Sequence, residues 1–534
     1  MKTGNLLDAA SAHAIGFEWL ANAVAPVSPY GDRAFSQTRP FLAGEEAAAQ
    51  ERAERIAALA AALDAERLGG IRAALAQLPD AAGAIARASM GDLLDDPQLL
   101  ELQRFCRTIE RVESLLAPWT QREPLSNDGV RALGVALAPG NRNELGFYLA
   151  DAFDPELKVA RERLERAQAE LDSARGRERE SAARALQRDE IPGEEFVVMR
   201  DDVPGALPSG VRVLREASTY RLCTLEHGEA ALAALERRDA AADLAGEAEE
   251  RVRARLSTIV REHAAALAEA ADALGTLDVT LAAAHFTQRY HCAPAAIVTE
   301  PALAFSQARF LPLEAELEAA GRHFVPLDLE LSDTAVLTGP NMGGKSVCLQ
   351  TCGFIALCAA FGMPVPAASV RTGLFDQIAW LGLGRDAETG GLLSSFAREV
   401  LDLKTILARD AARLLILADE FARTTTPHEG KALLIAVLER LGERDACGLA
   451  ATHLAGIAAA ASVRHFAVRG LRGIPQRQPP GDIGEALAAL GDAMDFTIAE
   501  VGGEEQPRAD AIALTALLGM DEAFVEAAYQ ALSR

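Results

Sequence analysis

The stretch Gly339-Pro340-Asn341-Met342-Gly343-Gly344-Lys345-Ser346 decides the fold of this chain, because it fits the pattern G-x-x-x-x-G-K-S/T. An apolar segment at 335–337 precedes it and predicts a strand, and the apolar run from 346 to about 357 predicts a helix. Glycines between a strand and a helix let backbone N–H groups surround a pyrophosphate at the helix N-terminus. The stretch predicts a phosphate-binding loop, and a glycine-rich turn without a ligand is the simpler alternative.

The residues of the predicted loop have expected roles in binding a nucleotide. Lys345 is expected to reach the β- and γ-phosphates of ATP, and the Ser346 hydroxyl is expected to hold Mg²⁺. The remaining residues expected to line the nucleotide are Gly339, Pro340, Asn341, Met342, Gly343, Gly344 and Val347.

Two later apolar runs end in polar residues and predict further strands of the same site. Residues 414–418 are apolar and lead into Asp419 and Glu420. A strand tip needs no charge for packing, so this pair predicts a Mg²⁺ ligand, Asp419, followed by a carboxylate, Glu420, that polarises the attacking water. Residues 448–451 lead into His453, which is predicted to sense the γ-phosphate at the same edge of a parallel sheet, although a lone histidine is usually structural.

The segment from Thr338 to Ser346 resembles the phosphate loop of the MutS family, the ABC-type ATPases of DNA mismatch repair. Phe324-Val325-Pro326 is similar to the family segment that packs on adenine, which implies a role for Phe324. Residues 390–396 resemble the family's signature loop, which implies that Ser394 acts in trans on the nucleotide of a second subunit. The resemblance therefore implies an ATPase that uses ATP and Mg²⁺ and forms a homodimer through its ATPase domain.

The chain departs from the family pattern in two segments. Residues 421–427 replace a Gly-Arg-Gly-Thr-Ser turn, and both glycines are missing. Because glycine adopts positive φ most readily, we expect this turn to lose two positive-φ positions and to follow a different path. The signature segment also carries 385–388 and Leu392 in place of two aspartates and a glycine, so communication between subunits is expected to differ.

Composition limits the remaining possibilities. Half of the 534 residues are apolar, so large buried cores are possible, and the net charge of −24 disfavours an extensive nucleic-acid surface. The sequence shows neither a secretion signal nor a membrane-length apolar run, which predicts a cytoplasmic protein without membrane contact. The seven cysteines lack paired C-x-x-C spacing and are predicted to be reduced core residues.

The fold class predicted is mixed: an all-helical core with paired long helices, followed by an α/β ATPase domain of the P-loop ABC type. Helical periodicity predicts helices at 47–63, 71–78, 93–116, 155–188 and 229–274, and alternating patterns predict strands at 196–200, 211–214 and 219–225. The terminal helices are predicted at 511–518 and 522–532, after a loop at 469–481. By resemblance, the domains are a helical core at 1–150, a lever-helix arm at 151–285 with a clamp-like tip at about 194–226, a connector at 286–320 and an ATPase and dimerisation domain at 321–534.

Two functions remain open for the ATP cycle. The family resemblance implies a DNA-associated clamp in mismatch repair or recombination, in a short form without the mismatch-recognition domain. The acidic tip favours a protein-remodelling factor that does not bind DNA, such as a reactivation component for an adenosylcobalamin-dependent aminomutase of the lysine 5,6-aminomutase type. In the second case the partner is an enzyme subunit rather than DNA.

Overall fold

The computed structural model describes residues 1–120, 124–140, 147–340, 343–382, 395–409, 411–471, 494–502 and 520–532, together with 512 and 515. Asn341, Met342 and Ser394 lie outside the described residues, and so do the signature segment 385–394 and most of the predicted loop 469–481 and helix 511–518.

The chain divides into two compact units, and both are discontinuous in sequence. The first comprises Met1–Gln77, Ser114–Glu123 and Asp272–Arg534, and the second comprises Leu78–Glu113 and Pro124–Ala271. This division differs from the four consecutive domains suggested by the sequence, whose functional names remain predictions.

Helices and strands alternate most regularly in the C-terminal half of the chain. The helices are α1 (Ala9–Ala14), α2 (Phe17–Ala23), α3 (Pro29–Gln37), α4 (Glu46–Ala62), α5 (Ala65–Ala76), α6 (Ala82–Ser89), α7 (Asp96–Leu115), α8 (Asp128–Leu137), α9 (Pro155–Leu186), α10 (Glu229–Glu262), α11 (Ala264–Arg289), α12 (Leu311–Ala319), α13 (Lys345–Ala360), α14 (Ser395–Ala408), α15 (Pro427–Gly442), α16 (Ile457–Ala461) and α17 (Glu522–Leu532). The strands are β1 (Glu195–Met199), β2 (Val211–Glu216), β3 (Tyr220–Leu225), β4 (Ala296–Val298), β5 (Leu303–Ala308), β6 (Leu327–Leu331), β7 (Thr334–Thr338), β8 (Ser369–Gly373), β9 (Gln377–Gly382), β10 (Leu414–Asp419), β11 (Ala446–Ala451), β12 (Arg464–Leu471) and β13 (Met494–Glu500). Short 3₁₀ turns lie at Ala138–Gly140 and Asp151–Phe153.

A six-stranded sheet forms the centre of the first unit, in the order β13-β12-β7-β11-β10-β9. The strands from β12 to β9 are mutually parallel, and β13 pairs antiparallel with β12. Side chains that alternate along β10 pack on opposite faces: Ile416 joins the core under α14, α15 and α16, whereas Leu417 faces Gly353 of α13. Helices on both faces explain why β10 and β11 read as continuous apolar runs.

A second, four-stranded sheet in the same unit has the order β4-β8-β5-β6. This sheet was not predicted from the sequence, because β4 and β5 fall in the segment 286–320 that was expected to be a connector. The N-terminal residues also join this unit: the Trp380 N–H donates to the Ser11 hydroxyl over 2.9 Å, and the Ile378 N–H donates to the Leu6 carbonyl over 2.8 Å. These contacts attach the start of the chain to β9.

The second unit contains two long helices, α9 and α10, that pack along each other. Asp154 caps α9 by accepting from the Glu156 N–H over 2.8 Å, and Pro155 at the first helical position supplies a fixed φ. Small apolar side chains form the contact, with Leu171 and Ala174 of α9 against Ala231 and Ala234 of α10. Between these helices in sequence lie β1, β2 and β3, which form a sheet in the order β1-β3-β2.

Several predicted elements differ from the observed ones in their limits. The single helix predicted at 229–274 is two helices, because the chain breaks helical geometry at His263, where φ is −107° and ψ is 11°. The helix predicted to begin at residue 71 begins at Ala65, where the Asp64 carboxylate caps it. Residues 469–471, predicted as loop, belong to β12.

All seven cysteines are free thiols, and six are buried, with Cys292 partly exposed. Their prediction as core residues is confirmed for these six. Within the described ranges, no helix is long and apolar enough to cross a membrane.

Candidate functional site

The predicted site residues converge at the carboxyl ends of three neighbouring strands. β7 ends at Thr338, β10 at Asp419 and β11 at Ala451, and β11 lies between the other two. Because the three strands are parallel, the loops that follow them share one edge of the sheet. The loop after β7 leads directly into α13, which begins at Lys345.

The end of this loop adopts a conformation that suits glycine. Gly344, which caps α13, has φ +84°, and a Cβ atom placed there would lie 3.2 Å from the Phe496 ring of β13. Gly343 donates its N–H to the Pro340 carbonyl over 3.0 Å. The loop therefore forms a tight turn that directs the first N–H groups of α13 toward the edge of the sheet.

Lys345 is largely buried at this turn, with 6% of its surface exposed. Its ammonium group donates to the carbonyl oxygens of Gly339 over 3.0 Å and Pro340 over 3.1 Å. Burial lowers the Lys345 pKa, and the nearby carboxylates of Glu420 and Asp419 oppose this effect. A buried cation beside an N-terminal helix turn is suited to binding an anion.

The Ser346 side chain interacts with the Asp419 carboxylate, although 73 residues of sequence separate them. Burial raises the Asp419 pKa, and the Glu420 carboxylate adds to this rise, whereas Ser346, Lys345 and Arg423 oppose it. Hydroxyl and carboxylate oxygens are the ligands that Mg²⁺ prefers. This pair therefore fits the expected metal-binding residues.

Gly382 at the end of β9 supports the position of Asp419. The two residues pair across the strands, and a Cβ atom on Gly382 would lie 2.5 Å from the Asp419 carbonyl oxygen. The local sequence around Gly382 does not indicate this role, because the need for glycine arises from the neighbouring strand β10.

Glu420 begins the turn after β10 in a left-handed conformation, with φ +50°. Its N–H donates to the Ala451 carbonyl over 3.0 Å, which connects the turn to β11. Its carboxylate lies 3.1 Å from the Arg423 guanidinium, and 21% of the Glu420 side chain is exposed. The carboxylate is thus held near Lys345 and Asp419 while remaining accessible to solvent.

The turn keeps positive φ without the glycines that the family pattern contains. Positive φ occurs at Ala422 (+61°), whereas Phe421 and Arg423, the residues on either side of it, do not have positive φ, so the expected loss of positive φ holds at these two positions. The Ala422 N–H donates to the Glu399 carboxylate over 2.8 Å, and the side chains of Phe421 and Ala422 are buried. Tertiary contacts therefore hold alanine in a conformation that its Cβ disfavours.

Glu399 is a member of this site to which sequence analysis assigned no role. It lies on α14 with 3% of its surface exposed, and burial raises its carboxyl pKa. Glutamate in an amphipathic helix normally faces solvent, so the pattern of 395–408 gave no indication of a buried partner.

His453 follows β11 by two residues and is exposed. The preceding residue, Thr452, is buried and donates its N–H to the Leu337 carbonyl of β7 over 3.0 Å. This contact places His453 near the start of the phosphate-type loop. A further histidine, His465 of β12, shares a 2.8 Å hydrogen bond with the Thr338 hydroxyl at the end of β7.

The remaining predicted residues are placed less directly. Val347 lies in the first turn of α13 and is partly buried, and Phe324 is partly buried three residues before β6. Asn341, Met342 and the trans residue Ser394 lie outside the described part of the chain. Their expected roles remain predictions.

Together, the strand-loop-helix turn, the buried lysine and the neighbouring hydroxyl and carboxylate of Ser346 and Asp419 define a candidate nucleotide site at the carboxyl edge of a mainly parallel sheet. Comparison with known proteins shows what the region around this site is similar to. The profile described as MutS domain V matches residues 335–471.

The similar curated proteins carry related names. Endonuclease MutS2 of Pelotomaculum thermopropionicum is 33% identical over 208 residues, which cover 38% of this chain and 26% of that protein. Endonuclease MutS2 of Streptococcus gordonii is 35% identical over 204 residues, covering 38% of this chain and 26% of that protein. DNA mismatch repair protein MutS of Granulibacter bethesdensis is 34% identical over 189 residues, covering 35% of this chain and 20% of that protein.

These matches show that the nucleotide-site region, residues 335–471, is similar to MutS domain V and to the corresponding parts of MutS2 and MutS proteins. The matched part spans about a quarter of the length of the two MutS2 relatives and a fifth of the mismatch repair protein.

Proposed function

We propose that this chain is a MutS-type ATPase that binds Mg²⁺ and ATP at the loop between β7 and α13 and hydrolyses the terminal phosphate. The observation that carries this proposal is the convergence of Lys345, Ser346, Asp419 and Glu420 from two distant segments. A glycine-rich turn without a ligand would not require a buried cation within the electrostatic reach of two carboxylates.

Mg²⁺, when bound, supplies charge that stabilises the phosphates and the developing transition state. The hydroxyl of Ser346 and the carboxylate of Asp419 would hold this ion. Lys345 would exchange its carbonyl contacts with Gly339 and Pro340 for phosphate oxygens, and the α13 N–H groups would bind the same phosphates.

Glu420 is the residue proposed to orient the attacking water and accept its proton. Its side chain is partly exposed, as a group that meets water must be, and its backbone is fixed by Ala451. His453 is proposed to contact the γ-phosphate from the end of β11. Phe324, before β6, is proposed to pack on the adenine.

The complete catalytic unit is proposed to be a homodimer in which Ser394 of each subunit reaches the nucleotide of the other. The terminal helix α17 supports association, because its apolar side chains face solvent in the single chain: Phe524 is 52% exposed and Leu532 is 64% exposed. An apolar helix face of this kind is suited to burial against a second copy.

The first candidate target of the ATP cycle is DNA. The matching relatives are named for endonuclease and mismatch repair activities, which favours a DNA-associated role in repair or recombination. Here the paired helices α9 and α10 would act as levers, and the sheet of β1, β2 and β3 would form the clamp-like tip.

The chemistry of this tip favours a second candidate, a partner protein. Two of its arginines share one carboxylate: Arg200 lies 2.7 Å and Arg221 3.1 Å from Glu216. The tip also exposes four large apolar side chains, which are Val197, Met199, Val213 and Leu214. DNA binding depends on free cations, whereas apolar exposed patches are typical of protein interfaces. In this second candidate function, ATP drives the remodelling of a partner protein. An adenosylcobalamin-dependent aminomutase is an example of such a partner.

Salt-dependent DNA binding distinguishes the two candidates. The Glu420→Gln protein, loaded with Mg²⁺ and ATP, would be titrated with duplex, mismatched and branched DNA over a salt series. Tight binding that weakens steeply with salt would support the DNA clamp. Absence of binding at low salt would exclude DNA contacts and favour the protein target.

ATP hydrolysis tests the proposal itself. Purified protein should release phosphate from ATP only when Mg²⁺ is present, and Lys345→Ala should abolish this release. Lys404→Ala, which changes an exposed lysine on α14, is the matched control and should retain wild-type turnover. Hydrolysis by the Lys345→Ala protein at the wild-type rate would contradict the proposal.

A further inference from the structure

The turn that carries Glu420 is strained in a way that requires external support. Glu420 and Ala422 both have positive φ, and neither is glycine. This conformation is unfavourable for residues that carry a Cβ atom, and it persists where surrounding contacts hold it in place. The contacts within the turn are local: the Arg423 N–H donates to the Glu420 carbonyl, and the Thr425 N–H donates to the Ala422 carbonyl, each over 3.2 Å.

A buried carboxylate from another helix supplies a further contact at the centre of this turn. Glu399 Oε2 accepts from the Ala422 N–H over 2.8 Å. Its second oxygen, Oε1, is buried without a hydrogen-bond partner among the described residues. Burying a carboxylate is unfavourable, so a purely structural acceptor for one N–H would be provided at lower cost by a serine or a backbone carbonyl.

We propose that Glu399 is a positioning residue for hydrolysis: by holding the Ala422 amide, it fixes the turn that aims the Glu420 carboxylate. Glu420 lies two residues before Ala422, so release of this amide would let the turn relax toward ordinary φ values and rotate Glu420 away from the terminal phosphate. The inference rests on the proposed function, because it assigns Glu399 a role in the ATP hydrolysis proposed for Glu420.

The position of Glu399 on α14 gives the contact a further consequence. This helix begins at Ser395, the residue after the predicted trans residue Ser394. A movement of α14 when two subunits associate would therefore be transmitted to Ala422 through one buried hydrogen bond. Glu399 thus connects the segment expected to contact the partner's nucleotide with the catalytic turn of its own subunit.

Two variants separate positioning from a merely structural role. Glu399→Ala removes the hydrogen-bond acceptor. Glu399→Gln keeps the length of the side chain and one acceptor oxygen but removes the negative charge. We expect Glu399→Ala to lower kcat by about tenfold while nucleotide affinity changes by less than about twofold, and Glu399→Gln to restore kcat. Val437→Ala, a truncation in the core cluster that includes Ala422, controls for general loss of stability.

Hydrogen exchange of the turn gives a second readout that needs no catalysis. Peptides covering 419–426 should exchange faster in Glu399→Ala than in wild type or Val437→Ala, and Glu399→Gln should restore protection. Wild-type kcat in Glu399→Ala, equal loss of kcat in Val437→Ala, or failure of Glu399→Gln to restore kcat would overturn the inference.

The failures of the two proposals are distinguishable. A wild-type protein without ATP hydrolysis would contradict the proposed function, and the exchange data would then decide whether Glu399 holds the turn. Unchanged exchange at 419–426 in Glu399→Ala would overturn the inference whatever the activity.

Discussion

The ammonium group of Lys345 lies 3.0 Å from the carbonyl oxygen of Gly339, within the same loop that leads to its helix. Lysine is thus held at the turn by contacts that a phosphate oxygen can replace. Burial and the opposing carboxylates set its electrostatic environment before any nucleotide arrives.

Replacing this lysine should weaken nucleotide binding. In Lys345→Ala, loss of a charge-assisted contact leaves the Asp419 and Glu420 carboxylates facing the phosphates, so ATP affinity should fall by roughly tenfold to a hundredfold. Fluorescent-nucleotide titration measures the change, with Lys404→Ala as the control. Affinity equal to wild type would show that Lys345 does not face the phosphates.

Gly382 should control Mg²⁺ dependence through the backbone of Asp419. In Gly382→Ala, the new Cβ would meet the Asp419 carbonyl oxygen at 2.5 Å and displace the end of β10. The Mg²⁺ concentration for half-maximal turnover should rise by about tenfold, as expected for a group that supports a metal ligand. Gly442→Ala meets no atom within 4 Å and should leave this concentration unchanged.

Glu399 should make stability depend on pH in a direction opposite to that of a glutamate whose pKa is lowered by folding. Burial raises its pKa above the ordinary value of 4.5, so the folded protein binds this proton more tightly than the unfolded chain. Its contribution to stability is present below the unfolded pKa and is lost as pH rises through the folded pKa. Glu399→Gln should therefore melt at a higher temperature than wild type at about pH 8, and the difference should shrink toward about pH 4.5.

Glu429 provides a control, because its pKa is shifted in the opposite direction to that of Glu399. Hydrogen bonds from the Thr426 and Thr425 hydroxyls lower its pKa, so its contribution is present above the unfolded pKa and is lost as pH falls. Glu429→Gln should melt below wild type at about pH 8, with the difference again shrinking in acid. A Glu399→Gln protein that melts below wild type at the higher pH would contradict the effect attributed to burial.

Mixing two inactive variants should reveal sites shared between subunits. Ser394→Ala keeps its phosphate loop, and Lys345→Ala keeps Ser394, so a mixed dimer contains one complete site if Ser394 acts in trans. An equimolar mixture that exchanges subunits should regain about a quarter of wild-type turnover, measured as phosphate release. If turnover stays at the level of the separate variants, Ser394 does not act in trans.

The sequence predicted the parts of the site that adjoin apolar runs. Lys345, Asp419 and Glu420 follow strands or begin a helix, and periodicity locates such positions. The contact of Glu399 with this site was not predicted, because its partner, Ala422, lies 23 residues away and the contact depends on how α14 packs.

Other features were missed because tertiary contacts override local pattern. Ala422 adopts positive φ although alanine disfavours it, since the buried turn and the Glu399 contact hold it there. The break at His263 carries neither glycine nor proline, so nothing in the local sequence marks it. The attachment of Ser11 to β9 joins residues 369 positions apart, which no local pattern indicates.

Glu420 is expected to act in ATP hydrolysis and not in ATP binding. Glu420→Gln, compared with the surface control Glu439→Gln, should be assayed for ATP affinity and single-turnover hydrolysis on the same samples. We predict affinity within about threefold of wild type and a hydrolysis rate reduced by roughly a hundredfold or more. Hydrolysis by Glu420→Gln at the wild-type rate would contradict the role proposed for Glu420, because another group would then orient the attacking water.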